Sequence, residues 1–385
     1  MKDTIQYMHV NNYTDEYLEQ LKNTYESNEP LKFDTYSKVT ILPAKEDIKR
    51  PWGVGGVLDS DGNYISTYEN HVFGGKYGFK KPEKTVVEEV IYIPIAPKQW
   101  GHFIIDVLCR FWWFNKEEYK NYKIAYISKD WSSDGISGNY LEVLQLLLGE
   151  NVKDRLLYIT EPTVFEKILI PSPSFTFGDS YHQEYKTIID TIVQNAHLTS
   201  TNQLKKVYLS RTGIHQYTEV GEEDIEKLFQ ENGYSVIHPE QLTFLEQVRV
   251  LQEADEIVGM SGSNMHNIVF SRDNISIIII NRAGIFNPPQ IRINKLKNAN
   301  VTMLDAYDID MYKKHPHGYG SGPFMVGIND KVLEYSKNHG FQVYYTEEQL
   351  RFIRKLNVKK YYYYTFARFS VRAYKKVFKL LGIKK

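Results

Sequence analysis

The segment EIVGMSGSNMHN, residues 256–267, decides the fold class of this chain. Its apolar first half reads as a buried strand, and the chain leaves that strand through a Ser-Gly-Ser turn (261–263) before a His-Asn pair. Small residues let the backbone turn tightly and expose its N–H groups, and a helix that begins near Asn264 would add the positive end of its dipole. The segment therefore predicts either a loop that binds an anion such as a diphosphate, or an ordinary turn in which Ser263 caps a helix and His266 packs against its neighbours.

The segments around this loop alternate between strand and helix. The order is strand KVYLS, helix EEDIEKLFQENG, strand YSVIHP, helix TFLEQVRVLQEA, strand DEIVGM and, after the loop, strand ISIIIINR. Apolar strands that alternate with amphipathic helices predict a parallel sheet covered on both faces. Such a sheet binds ligands beyond the carboxyl ends of its strands, and the 261–267 loop begins at one of those ends.

The N-terminal half predicts a second region of mixed α/β structure. Short apolar runs bounded by Pro, Gly or charged residues read as strands: KVTILPA, EEVIYIPIA, YKIAYIS, RLLYIT and FEKILIPS. The segment GVGGVLDSDGNYIS, residues 53–66, predicts a hairpin in which Asp61-Gly62 favours a tight primed turn. The segment at residues 181–196 predicts a helix between the two regions.

The composition excludes several classes of protein. A single cysteine, Cys109, cannot form an internal disulfide or a multi-cysteine zinc site. The longest aliphatic run, ISIIII at residues 275–280, is far shorter than the ~20 residues that a membrane-spanning helix needs. The first residues, MKDTIQYMHVNNYTDEY, contain no apolar signal core, so we expect a cytoplasmic protein.

The charge is distributed unevenly along the chain. Of the 47 Lys and Arg residues, twelve lie between Arg351 and Lys385, where there is no Asp or Glu. The rest of the chain therefore has 35 basic residues against 47 acidic ones. Because the excess positive charge belongs to the C-terminal segment alone, we expect no general nucleic-acid-binding surface.

That C-terminal segment is amphipathic when it is drawn as a helix. One face is apolar and includes Phe366, Phe369, Val377 and Leu381, and the opposite face is basic, with Arg368, Arg372, Lys375, Lys376 and Lys379. This pattern predicts an interfacial helix on an anionic membrane leaflet. The alternative is a helix whose apolar stripe docks on the protein while its basic face is solvated.

The segment QWGHFIIDVLCRFWWF, residues 99–114, carries three polar groups at regular spacing. In a helix, His102, Asp106 and Arg110 would lie on one face at i, i+4 and i+8. Asp106 would hold His102 in one tautomer and raise its basicity, which leaves the other ring nitrogen as a general base. The alternative is a structural His–Asp–Arg ladder.

Together these segments resemble glycosyltransferase family 61, in its bacterial capsule- and surface-polysaccharide branch. The likeness covers roughly residues 85–305. YIPIAPKQWGHFIIDVLCRFWWF is similar to the family's His-x-x-x-Asp-x-x-x-Arg block, and SGSNMHNIVF resembles its small-residue loop. Between them, KVYLSR and EVGEEDIEKLFQENGYSVIHPEQLTFLEQVRVLQEADEIVG resemble the central block, in which Arg211 ends a strand, Glu222 opens a helix and Gln247 lies in the next helix.

The resemblance implies an α/β protein with two Rossmann-like domains facing a cleft, the GT-B arrangement. We assign residues 1–195 to an acceptor-side domain, 196–345 to a nucleotide-sugar-binding domain, and 346–385 to a basic amphipathic C-terminal helix. The implied reaction is inverting transfer of a sugar from a nucleotide-sugar, expected to be a UDP-sugar, without a metal ion or another cofactor.

The resemblance also implies roles for individual residues. Direct displacement needs one base for the acceptor hydroxyl, and His102 or Asp106 is expected to supply it. Positive charge and N–H dipoles must stabilise the departing diphosphate. The expected donor-binding residues are Arg211, Ser261, Gly262, Ser263, Asn264, His266 and Asn267, and the expected supporting residues are Arg110, Glu222 and Gln247.

The expected setting is the inner face of a bacterial plasma membrane. There the protein would bind peripherally and extend a glycan or lipid-linked acceptor in surface polysaccharide synthesis, and a homo-oligomer is compatible with the sequence. Two other functions stay open: a polysaccharide pyruvyltransferase-like enzyme of the same architecture, and a non-catalytic scaffold of a glycan-assembly complex.

Overall fold

A computed structural model of the 385-residue chain describes residues 6–7, 19–47, 49–50, 52–67, 73–80, 82, 84–176, 180–199, 204–214, 219–285, 287–315 and 322–380. Residues 6–7, 369 and 371–380 are described by their backbone alone. The chain divides into two compact units: an N-terminal unit of Asn23–Leu198 and Thr243–Val248, and a C-terminal unit of Met1–Lys22, Thr199–Leu242 and Arg249–Lys385.

The described strands and helices are numbered along the chain. The strands are β1 (Gln6–Tyr7), β2 (Tyr25–Glu26), β3 (Phe33–Lys45), β4 (Val54–Leu58), β5 (Tyr64–Ile65), β6 (Lys84–Val86), β7 (Val90–Ile93), β8 (Lys123–Tyr126), β9 (Leu156–Tyr158), β10 (Thr163–Pro171), β11 (Ser180–Tyr181), β12 (Lys206–Leu209), β13 (Glu219–Val220), β14 (Ser235–Ile237), β15 (Glu256–Met260), β16 (Ser276–Asn281), β17 (Asn300–Asp305) and β18 (Phe324–Met325). The helices are α1 (19–23), α2 (Trp100–His102), α3 (Asn139–Leu148), α4 (Val152–Arg155), α5 (Gln183–Asn195), α6 (Glu222–Glu231), α7 (Phe244–Glu253), α8 (Ser263–His266), α9 (Pro288–Leu296), α10 (Ile309–Lys314), α11 (Asp330–Asn338) and α12 (Glu347–Leu380).

The C-terminal unit is built on a six-stranded sheet in the order β1-β17-β16-β15-β12-β14, and all of its strand pairings are parallel. The two strands on either side of the 261–267 loop, β15 and β16, lie at the centre of this sheet. Apart from their first residues they are buried along their whole length. Near-continuous apolar strands are what a sheet covered on both faces requires, so this sheet matches the one predicted from the alternation of strands and helices.

Helices pack closely on this sheet. One face is covered by α6 and α11 in a core that includes Tyr208, Ile225, Phe229, Val258, Ile278, Ile280, Val332 and Tyr335. On β15 the chain carries Gly259, where an added Cβ would lie only 2.7 Å from Met265 Sδ of α8. The missing side chain therefore lets the short helix after the loop lie directly against the strand before it.

The N-terminal unit contains a mixed sheet in the order β5-β4-β3-β10-β7-β8-β9, with β6 also paired to β10. Strands β10, β7, β8 and β9 are parallel neighbours, whereas β3, β4 and β5 are antiparallel to theirs. The antiparallel half distinguishes this sheet from the wholly parallel Rossmann type that the family resemblance implies. Hairpin connections such as β4–β5 force antiparallel neighbours. The GT-B arrangement of the units stays a prediction.

The predicted hairpin at residues 53–66 is present, but its turn is of a different type. A tight primed turn of type I′ needs positive φ at both central residues. Here only Gly62 of the turn has it, at 79°. The Asp59 carboxylate instead accepts hydrogen bonds from the N–H groups of Asp61 and Asn63, at 2.9 and 2.8 Å. The aspartate is a turn former, as expected, although the turn is wider.

The C-terminal helix, α12, begins as part of the C-terminal unit. Arg354 donates from Nε to Asp308 Oδ2 at 2.6 Å, and Asn357 donates from Nδ2 to Asp224 Oδ2 at 3.1 Å. Tyr361 is fully buried. The predicted segment 346–385 therefore starts with several turns that are packed on the unit.

The residues predicted to face a membrane lie further along this helix. Phe366 is 71% exposed, and Arg368 is partly buried. The predicted Phe369, Arg372, Lys375, Lys376, Val377 and Lys379 lie where only the backbone is described, and Leu381 lies outside the described residues. In the part of the chain that the structure describes, no helix is long and apolar enough to span a bilayer.

The two glycines at the ends of α6 provide a test of the packing around it. Both have left-handed φ, 97° at Gly221 and 89° at Gly233. A Cβ at Gly221 would lie 2.2 Å from Val326 O, whereas a Cβ at Gly233 would meet no atom within 4 Å. We expect Gly233→Ala to cost about 1 kcal/mol of unfolding free energy from backbone strain alone, and Gly221→Ala to cost several times more. Urea unfolding measures both, and equal losses would contradict the close packing at Gly221.

Candidate active site

The His102 segment is helical, but it is not a single α-helix. One turn of α-helix, α2, passes into a π-helical segment at Phe103–Val107 and then a 3₁₀ turn at Leu108–Arg110. The helical spacing of His102 and Asp106 is thus present, although the helix changes its type along the segment. The π turn buries Phe103, Ile104, Ile105 and Val107 together, and such turns occur often at functional sites.

His102 and Asp106 form the predicted pair. His102 Nδ1 lies 2.7 Å from Asp106 Oδ2, and the two side chains are 33% and 13% exposed. Because a carboxylate only accepts hydrogen bonds, the proton lies on Nδ1, and Nε2 of the neutral ring keeps its lone pair. The pair has the geometry of a general base held in one tautomer.

Arg110 and Trp52 complete the surroundings of this pair. Arg110 is buried and donates to the backbone oxygens of Asp106, at 3.2 Å, and Pro171, at 3.0 Å, so it fixes the end of the segment. The Trp52 ring lies edge-on to His102, with centroids 4.3 Å apart. The sequence analysis missed Trp52, whose only signal is its position before the glycine-rich hairpin.

The 261–267 loop leaves β15 as predicted. Ser261 N–H donates to Ile280 O at 2.8 Å, and Gly262, with φ of 144°, precedes α8. Asn264 Nδ2 donates to Leu209 O at 2.9 Å, which ties the start of α8 to the end of β12. Ser263 is exposed, and the other predicted residues are buried. The loop is therefore a fixed connection between two strand ends.

His266 is held by two amide side chains of the C-terminal unit. Its Nδ1 lies 2.9 Å from Gln290 Oε1 of α9, and its Nε2 lies 3.3 Å from Asn287 Nδ2. Both ring nitrogens are thus engaged, and the ring is buried. The ring is packed against its neighbours, as in the alternative that the sequence left open, and the donor-binding role of His266 stays a prediction. Asn267 is likewise buried in the 3₁₀ turn that follows.

Arg211 belongs to a buried ion cluster with a second arginine that the sequence analysis missed. Arg211 follows β12 and Arg282 follows β16, so both lie at carboxyl ends of the parallel sheet. Arg211 Nε lies 3.1 Å from Glu219 Oε1, and Arg282 Nη1 contacts the same oxygen. The available signal was the shared pattern of an apolar strand ending in arginine, in KVYLSR and ISIIIINR.

Arg282 also lies against the predicted loop. A Cβ at Gly262 would stand 3.1 Å from Arg282 Nη2, so the glycine leaves room for the guanidinium. The Arg282 guanidinium carbon also lies 4.3 Å from the centroid of the Phe324 ring. One guanidinium therefore joins the loop after β15 to the Glu219 carboxylate and, through it, to Arg211.

Glu222 adjusts the charge of this cluster. Burial, and next the negative charge of Glu219, raise the pKa of Glu222 to about 8, although its oxygen Oε1 accepts the Arg211 N–H at 3.0 Å. At neutral pH the group is therefore mostly protonated. The protonated Glu222 then adds no negative charge beside the contacts of Arg211 and Arg282 with Glu219.

Two further predictions concern Gln247 and metal ions. Gln247 is buried on α7, in the part of that helix that belongs to the N-terminal unit. No group of three or more His, Cys, Asp or Glu side chains is placed to hold a metal ion among the residues that the structure describes. The metal requirement of the reaction stays a prediction.

Comparison with known proteins assigns the class of protein. A buried parallel sheet with arginines at its strand ends, together with a carboxylate-held histidine, fits a group-transfer enzyme. Residues 100–278 match the family model Glycosyltransferase 61. This match supports a glycosyltransferase 61 domain over these residues, and the protein is a glycosyltransferase. No curated protein matches the chain. The matched residues include His102, Asp106, Arg211 and the 261–267 loop, whereas Arg282 and α12 follow them.

The raised pKa of Glu222 predicts a pH dependence of stability. Its folded-state pKa of about 8 lies above the ordinary value of 4.5, so folding favours the protonated form. The stabilisation is complete below about pH 4.5 and is lost as the pH rises toward 8. We expect Glu222→Gln to flatten the fall in unfolding free energy across this window, while Glu223→Gln, an exposed neighbour on the same helix, leaves it unchanged. Parallel pH curves for the wild type and Glu222→Gln would contradict the buried neutral carboxyl.

Proposed function

We propose that the protein transfers a sugar, with inversion and without a metal ion, from a UDP-sugar to a glycan acceptor. The observation that carries this proposal is the 2.7 Å contact between His102 and Asp106, in which the histidine is one-third exposed. A base that acts on an acceptor hydroxyl needs a free nitrogen within reach of the substrate and a fixed tautomer. The partial exposure of His102 and its contact with Asp106 support this role.

The proposed step is a single displacement. The acceptor hydroxyl gives its proton to His102 Nε2 while its oxygen forms the new bond to the anomeric carbon. The bond between that carbon and the diphosphate oxygen breaks, and its electron pair leaves with UDP. Asp106 stabilises the imidazolium that forms, since the carboxylate is already bonded to the opposite ring nitrogen. The configuration inverts because attack and departure occur on opposite faces of the sugar carbon.

The leaving diphosphate is proposed to bind beside Gly262. Arg282 lies against this residue and, with Arg211, supplies positive charge beside Glu219, while the raised pKa of Glu222 limits the negative charge that this carboxyl adds. Fixed positive charge in a buried site stabilises developing negative charge without reorganisation. In this proposal Asn264 and His266 hold the loop in place.

The outward face of α12 supports a membrane-bound acceptor. Phe352, Leu356, Tyr363 and Phe366 are 61%, 41%, 70% and 71% exposed, and at about 100° per residue they fall within an arc of about 80°. The buried Tyr361 lies on the opposite side of the helix. The stripe begins upstream of the predicted residue 361. Lys355 and Lys360 lie on either side of it, and Lys359 lies within it.

This stripe fits an anionic lipid surface, with its apolar side chains inserted and its lysines at the headgroups. We therefore propose that the protein lies on the inner face of a bacterial plasma membrane and extends a lipid-linked acceptor in surface polysaccharide synthesis.

The proposed base is tested by turnover. His102→Ala should lower the rate of transfer by ~10²–10⁴, because no base remains to accept the proton of the acceptor hydroxyl. The Kd for UDP should change little. Asp106→Asn should also lower the rate, since an amide can donate to Nδ1 and favour the wrong tautomer. His197→Ala, an exposed histidine of the same unit, is the matched control. Near-normal turnover of a folded His102→Ala variant would show that the base lies elsewhere.

A further inference from the structure

The carboxylate that holds the two arginines lies on a very short strand. β13 consists of Glu219 and Val220 alone, and it pairs in parallel with β18, where Glu219 is opposite Phe324 and Val220 opposite Met325. The next residue, Gly221, precedes α6, whose first residue is Glu222. Glu219 and Glu222 thus flank Val220 and Gly221. The positions of these two residues determine where both carboxyl groups lie.

α12 holds those two residues from a site more than 130 residues away in sequence. Tyr361 is fully buried in a small cluster with Val220, Met311 and Met325. Asn357 lies against Gly221, where an added Cβ would be 2.8 Å from its Nδ2, and the same amide donates to Asp224 Oδ2 at 3.1 Å. One face of α12 therefore contacts Val220, Gly221 and the first turn of α6.

The helix itself is fixed to the unit one turn earlier. Arg354 donates to Asp308 through Nε and Nη2, at 2.6 and 3.1 Å, and to Asp310 at 2.9 Å. Planar guanidinium contacts of this kind define a geometry as well as an attraction. This anchored turn fixes the positions of Asn357 and Tyr361 relative to β13.

We propose that Asn357 and Tyr361 of α12 are positioning residues for the donor site: they fix β13, and thereby place Glu219 so that Arg211 and Arg282 face the diphosphate. This inference rests on the proposed function. It makes the C-terminal helix part of the donor site as well as the proposed membrane contact. A small displacement of such groups has a large effect, since misplacement by about 1 Å can cost about 10²-fold in rate.

The test compares three tyrosine variants of the full chain by calorimetry with UDP and by kinetics with a soluble acceptor. Tyr361→Ala should raise both the Kd for UDP and the donor KM by about tenfold or more, with much less change in kcat, because the base is untouched. Tyr361→Phe keeps the packed ring and should restore wild-type values. Tyr364→Ala, the same truncation at an exposed position of the same helix, should match the wild type.

The outcomes separate this inference from the function on which it rests. A wild-type protein that binds no UDP would overturn the proposed donor site itself, and this inference with it. UDP binding by the wild type and an unchanged Kd in a folded Tyr361→Ala variant would overturn the inference alone. Should Tyr361→Ala fail to fold, Asn357→Ala carries the same expectation of weakened UDP binding, and wild-type affinity in that variant would overturn the inference equally.

Discussion

The buried carboxylate of Glu219 between two arginines is the constraint on which the C-terminal unit depends. Removing three charges from water costs several kcal/mol for each ion, and only close, fixed geometry recovers that cost. The ends of β12 and β16 must therefore meet the short strand β13 at one point. A side chain at Gly262 would crowd the Arg282 guanidinium, because its Cβ would lie 3.1 Å from Nη2. The 261–267 loop is therefore shaped by this ion cluster.

The same constraint affects the protonation of Glu222. Burial and the neighbouring charge of Glu219 raise the pKa of Glu222 to about 8, so at neutral pH this carboxyl adds little negative charge beside the contacts of Arg211 and Arg282 with Glu219. In the N-terminal unit, the Asp106 carboxylate holds the proton of the neutral His102 ring on Nδ1, and the lone pair then lies on Nε2. The two units thus carry the two charge arrangements that metal-free glycosyl transfer is proposed to need.

Much of the fold and of the candidate site could be predicted from local sequence patterns. The apolar runs of β15 and β16 specified a parallel sheet, and the spacing of His102 and Asp106 specified their contact, which survives the change from an α- to a π-helical turn. Arg282 and Trp52 could not be predicted in the same way. Their roles depend on which strands are neighbours and on contacts with residues far away in sequence, such as Glu219. The contacts of Asn357 and Tyr361 were not predicted for a related reason, because the amphipathic pattern read from the sequence lies further along α12 and does not include them.

The most direct test of the account is calorimetric titration of UDP in the presence of EDTA, with Arg282→Ala compared to Arg272→Ala. Arg272 follows the loop helix and makes an exposed ion pair with Asp255, so its removal changes the net charge equally. The account predicts that the wild type and Arg272→Ala bind UDP without a divalent ion, and that Arg282→Ala binds about 10–100-fold more weakly, as expected for the loss of a charge-assisted phosphate contact. Binding abolished by EDTA, or wild-type affinity in a folded Arg282→Ala variant, would contradict it.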